Sequence, residues 1–136
     1  MVYKDSDIDD WPKTWAYSSK DIDYGKEIVE LFVPFLNSLK QSKFSKKTIN
    51  EHIDNLWALG GFLIKQINYN EEYRNKTPLL LIPRYIDSYD GPTIQDFSES
   101  EQESFDKTCS KYYRYLVVND LKRLLESDFN SGEDEE

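Results

Sequence analysis

Between Ile49 and Ile67 the chain returns to an apolar residue every three or four positions, through Ile53, Leu56, Trp57, Leu63 and Ile64, with Gly60 in the remaining slot. That spacing collects side chains on one face of an α-helix. It predicts a helix beginning at Ser45 or Lys46 and running to about residue 68. The pair Gly60-Gly61 costs roughly 1 kcal/mol per glycine against alanine inside a helix. With no glycine-rich phosphate motif around it, the pair reads as a packing notch where another backbone approaches closely.

The same period appears before this helix in Ile28, Leu31, Phe32, Phe35, Leu36 and Leu39. Pro34 falls inside that pattern, so the helix should kink there or begin afresh, because proline lacks the amide donor and crowds the carbonyl four residues back. Further along, Thr77-Pro78 offers a cap and a first-turn proline for a short element that buries Leu79, Leu80, Ile82 and Ile86, ended by the turn Asp90-Gly91-Pro92. Ser98-Glu99-Ser100-Glu101 reads as a capping box. It opens a last long helix with Phe105, Cys109, Tyr112, Tyr113 and Leu116 on its apolar face, which Leu121, Leu124 and Leu125 extend or follow as a short fifth helix. No strand pattern competes. The expected class is all-α, a compact bundle of four to five helices with Ile53, Leu56, Trp57, Ile64, Phe105, Tyr112 and Leu116 in one core.

The 136 residues carry a formal net charge of −9, and its distribution divides the chain. Residues 1–25 hold −3, residues 26–121 hold −2 and residues 122–136 hold −4. This suggests an acidic, aromatic N-terminal arm over residues 1–25, a helical domain over 26–126 and a disordered acidic tail over 127–136. The tail serves either as a solubility segment or as an acidic segment that masks the chain's own basic surface or meets a basic partner. Aromatics at 15% supply enough apolar surface to fold despite the charge. The single Cys109 cannot form an internal disulfide. No export signal or membrane-length apolar run is evident, so a reducing cytoplasm is the expected setting.

Chemistry has little to stand on. His52 has no second histidine or nearby cysteine to complete a metal site, Cys109 lies on a buried stripe where a thiol behaves as a small hydrophobe, and no acid stands within an apolar pattern that would raise its pKa. The expectation is a chain that is not an enzyme, with no cofactor, no metal and no evident small-molecule substrate.

Two residue groups suggest binding instead. SKFSKKTINEH, residues 42–52, places Lys43, Lys46, Lys47, Thr48 and Asn50 at the start of the central helix. Lys107, Lys111 and Arg114, spaced by four and three, form a stripe opposite the apolar face of the last helix. The cations could meet phosphates, helped by the helix N-terminus; as an alternative they are a solvated corner and an ordinary helix surface.

The segment VELFVPFLNSLKQSKFSKKTINEHIDNLWALGGFL, residues 29–63, resembles the SAM-like core-binding domain of tyrosine recombinases and phage integrases. FSESEQESFDKTCSKYYRYLV, residues 97–117, is similar to that family's fourth helix. The resemblance covers about residues 28–121 and lacks the family's catalytic domain. It implies a stand-alone, non-catalytic module that clasps DNA with its second and fourth helices, the two that carry the lysine groups above.

The rival expectation is a protein-interaction module, antitoxin-like or regulatory, in which Trp11, Trp15 and Tyr17 of the acidic arm, flanked by Tyr3 and Tyr24, anchor a partner. Equally, Trp11 and Trp15 could pack on their own bundle as a lid.

Overall fold

The central periodic segment forms a helix of 24 residues, Lys46–Tyr69, whose N-cap Ser45 accepts from the Thr48 amide. The computed structural model describes residues 8–121, and around this helix it sets α1 (Trp11–Trp15), α2 (Lys20–Lys40), α3 (Lys46–Tyr69), α4 (Pro78–Leu81) and α5 (Glu99–Leu116). Tight 3-10 turns at Glu71–Asn75 and Ile82–Arg84 join α3 to the loop before α5, and a π-helical turn, Val117–Leu121, follows it. No strand occurs among the described residues. Tyr3, Leu124, Leu125 and the tail at 127–136, all given roles above, lie outside the described residues.

α2 is continuous through Pro34 and does not begin afresh there. Ile28 and Phe32 before the proline, and Phe35, Leu36 and Leu39 after it, are all buried. Burying each large apolar side chain stabilises by roughly 1.5–3 kcal/mol, so five of them outweigh the roughly 3 kcal/mol that an interior proline costs. α5 opens with the expected capping box: the Glu101 amide donates to Ser98 Oγ and the Ser98 amide to Glu101 Oε1.

The core is one cluster. Phe32 meets Tyr112 edge-on at 5.2 Å between ring centroids, Phe35 packs on the same ring at 5.1 Å, and Leu56, Leu63, Ile64, Phe105, Cys109 and Leu116 are fully buried around them. Two expectations fail here. Trp57 is 44% exposed, and Leu80 points outward while Leu81 is buried in its place. At Trp57 the apolar stripe of α3 is wider than the surface its neighbours cover, and Leu56, adjacent in sequence, takes the core position.

Residues 8–25 join the same core. Ile8, Trp11 and Trp15 are buried, which removes Trp11 and Trp15 from the candidate interface; Tyr17 remains 66% exposed. Glycines receive α1 on both long helices it touches. At Gly25 an added Cβ would lie 3.0 Å from Pro12 Cα, and at Gly60 it would lie 2.1 Å from Trp15 Cζ2. The notch expected at Gly60 thus accepts an indole rather than a backbone. Trp15 Nε1 donates to the Trp57 carbonyl at 2.9 Å, and the ring packs edge-on against Phe32.

A buried acid ties the start of α2 to the turn after α3. Asp21 is fully buried and accepts from the Tyr17 and Ser18 amides, from Asn68 Nδ2 and from Arg74 Nη1 at 2.7 Å. Burial alone would raise its pKa; the Arg74 and Asn68 side chains and the two amides outweigh that and hold the carboxyl below its ordinary value. Arg74 also binds Glu71, and the Tyr24 hydroxyl donates to the Lys76 carbonyl nearby.

These contacts set the expected stability of three variants. Gly60→Ala should lower the unfolding free energy by about 1–3 kcal/mol, because the rigid indole cannot yield to the new methyl, while Trp57→Ala should cost under about 1 kcal/mol as an exposed site does; urea denaturation of both variants measures each. Asp21→Ala should cost about 3 kcal/mol, at the low end for a broken buried pair because Glu71 still pairs with Arg74. Since the folded-state pKa of Asp21 is lowered, its stabilisation is present above the ordinary carboxylate value near ~4 and is lost as pH falls through the folded value. Acid titration of the wild type and Asp21→Ala should therefore converge at low pH.

Candidate basic and aromatic groove

α3 and α5 meet along a polar seam. His52 Nδ1 lies 2.7 Å from Thr108 Oγ1, Asn55 Nδ2 donates to Thr108 Oγ1 at 2.8 Å and to Ser104 Oγ at 3.1 Å, and Thr108 Oγ1 donates to the Ser104 carbonyl. These pairs set the two helices antiparallel, with the start of α3 beside the C-terminal half of α5. A threonine hydroxyl carries one proton and accepts twice. With its proton on the Ser104 carbonyl, it accepts from Asn55 and from a proton on His52 Nδ1.

At this end of the seam lies a concavity of about 370 Å³ lined by Phe44, His52, Tyr89, Lys107, Ser110, Lys111 and Arg114. No carboxylate is among those lining residues. Phe44 sits one residue before the α3 N-cap and is 40% exposed; the Lys111 ammonium stands 4.8 Å from its ring centroid, and the His52 ring meets it edge-on at 6.1 Å. Tyr89, 84% exposed, projects from a turn closed by the Asp87 carboxylate, which accepts from the Tyr89 and Asp90 amides. Those two amides lower the Asp87 pKa.

The loop bearing Tyr89 is held to α5 by side chains four residues apart. Gln102 Nε2 donates to the Pro92 carbonyl, the Gly91 amide donates to Asp106 Oδ1, and Ser110 Oγ and Arg114 Nη2 both donate to the Ser88 carbonyl, at 2.6 and 3.2 Å. At Gly91 a Cβ would stand 2.5 Å from Cys109 Sγ, so the close approach of loop to helix needs glycine there. Cys109 itself is fully buried, and burial pushes its thiol pKa far up.

Of the eight cation-group residues named from sequence, this groove collects Lys107, Lys111 and Arg114. Lys43, Lys46 and Lys47 are exposed but do not line it. Thr48 and Asn50 are half-buried, and Thr48 serves the N-cap of α3. Sequence reasoning missed Phe44, His52, Tyr89 and Ser110. Phe44 left a signal, since an aromatic among five polar and basic neighbours outside any helical period is the interleaving that nucleic-acid surfaces use. Tyr89 left none, because its place depends on how the loop docks.

No family model, no curated protein and no solved structure matches the chain. Among the described residues, no three His, Cys, Asp or Glu side chains gather to hold a metal ion, and no helix is long and apolar enough to cross a membrane.

Chemically, three cations beside two exposed rings suit a ligand with both phosphates and flat bases. His52 adds a titrating group: burial first, then the Lys111 charge, lowers its pKa, against a smaller opposing pull from Glu51. The folded state therefore binds its proton less readily than the unfolded chain. Its contribution to stability is complete above the ordinary histidine value near ~6.5 and erodes as pH falls from there toward the lowered one. Lys111→Gln should move the His52 pKa upward in an NMR titration; an unchanged value would remove Lys111 from its electrostatic neighbourhood.

Proposed function

We propose that this chain is a non-catalytic helical module that binds nucleic acid through the groove of Phe44, His52, Tyr89, Lys107, Lys111 and Arg114. The observation that carries the reading is the convergence of the α5 cations with the aromatic residue of the basic corner in one concavity free of lining carboxylates. Lysine and arginine neutralise phosphates and release counterions, and rings such as Phe44 and Tyr89 offer stacking surfaces to bases. The resemblance to integrase core-binding domains supports the same face, since α3 and α5 are the helices that correspond to the DNA-clasping pair. The buried thiol of Cys109, held protonated, supports a binding role over nucleophilic chemistry and suits a reducing, cytoplasmic setting.

The net charge of −9 works against nucleic acid at long range. Screening limits that repulsion to about 8–10 Å at ordinary ionic strength, so the local cations decide once contact is made. The acidic segment at residues 127–136 would compete with phosphates for the same cations.

The test is a fluorescence-anisotropy titration of labelled single strand and duplex of one sequence, at low and rising salt. Binding at low salt should weaken steeply as salt rises. Lys107→Glu with Lys111→Glu should abolish it, and single neutralisations should flatten the logarithmic salt slope by roughly 0.7–0.9 per lost contact. Removing residues 127–136 should strengthen it. Failure of the truncated protein to retain either strand form overturns the proposal, and undiminished binding by the double charge reversal moves the site elsewhere.

A further inference from the structure

Toward the other end of the α3–α5 seam the surface reverses sign. A groove of about 520 Å³ is lined from α3 by Glu51, Asp54, Asn55, Trp57 and Ala58, from α5 by Ser100, Glu101 and Ser104, and between them by Phe97. Three carboxylates line it, and no lysine or arginine is among its lining residues. Its floor is aromatic: Phe97 packs on the core ring of Phe105 at 5.6 Å, and the Trp57 indole stands 44% exposed although the backbone beneath it is fixed by the Trp15 bond to its carbonyl. Glu101 is held in place by the Ser98 amide. Burial first, and with it the like charge of Glu51, raises the Asp54 pKa.

An indole left open on an otherwise well-packed helix is a common anchor of protein interfaces. Beside three carboxylates it has a specific complement, a planar cation that can lie on the ring face while its N–H groups meet the acids. Guanidinium satisfies both demands and ammonium only the second. We infer that this groove docks an arginine-bearing basic segment of a partner protein, with Trp57 as the stacking floor and Asp54, Glu51 and Glu101 as the charge contacts. The surface shares no lining residue with the cationic groove, so one module presents two grooves of opposite charge to two ligands.

The experiment uses the full chain and labelled short peptides alternating Arg with Gly, Lys with Gly and Glu with Gly, titrated at low salt. The Arg peptide should bind more tightly than the Lys peptide and the Glu peptide not at all. Trp57→Ala should weaken the Arg peptide by roughly tenfold or more, Trp57→Phe by less, and Asp54→Asn with Glu51→Gln should weaken both basic peptides. Lys107→Glu with Lys111→Glu, which disables the proposed nucleic-acid groove, should leave the Arg peptide bound, so the two sites fail or stand separately. Thermal melts of the Trp57 variants, matching the wild type, exclude unfolding as the cause. Equal binding of the Arg peptide by wild type and Trp57→Ala would reduce the effect to diffuse charge and overturn the inference. So would binding that does not distinguish Arg from Lys, or sedimentation showing that at low salt a second copy of the chain occupies the groove through its own lysines.

Discussion

The indole of Trp15 seated over Gly60 is the contact on which the arrangement of the helices depends. Through it α1 is fastened to α3, while Pro12 rests on Gly25 of α2, and Phe32 links the same indole to the ring of Tyr112 on α5. A tryptophan buries roughly 150–250 Å², about 4–6 kcal/mol at roughly 25 cal/mol per Å² as an upper estimate. Gly60, which costs α3 roughly 1 kcal/mol, is therefore sustained by what it admits. Trp57 differs from its two sisters: its carbonyl accepts the Trp15 N–H, while its own ring is left to solvent.

The second organising feature is the antiparallel α3–α5 seam, where His52, Asn55, Ser104 and Thr108 satisfy one another. Charge is sorted along α5 in the order a helix dipole favours, with Glu99 and Glu101 in the first turn and Arg114 in the last. Because the seam runs the length of the contact, that sorting divides one face into an acidic, Trp57-floored groove and a cationic, Phe44-rimmed one. A sum of −9 conceals this division.

Much of the fold was legible because periodicity, caps and breakers are local. The span of α3, the capping box of α5 and the buried face of Phe105, Cys109, Tyr112 and Leu116 all follow from neighbours within a few positions, whereas the turn expected at Asp90-Gly91-Pro92 forms instead at Ser88-Tyr89, closed by Asp87. The continuity of α2 through Pro34 was not legible, since it depends on what packs against both halves. The site was legible only in part. Lys107, Lys111 and Arg114 share a face by their spacing alone, but Arg114 also holds the Ser88 carbonyl, and Tyr89 and His52 enter through contacts 22 or more residues away in sequence. Asp21 was missed altogether, because nothing near it in sequence announces Asn68 or Arg74.

The sequence by itself determined an all-α chain, the places where α3 and α5 begin, and a cationic stripe opposite an apolar one, for these follow from side chains three and four positions apart. Only the tertiary structure decided that Trp11 and Trp15 belong to the core and Trp57 to the surface. All three are equally hydrophobic as read, and the pattern of α3 offers more apolar face than its neighbours can cover. Trp15 in particular is buried because Gly60, 45 residues away in the chain, leaves room for its indole.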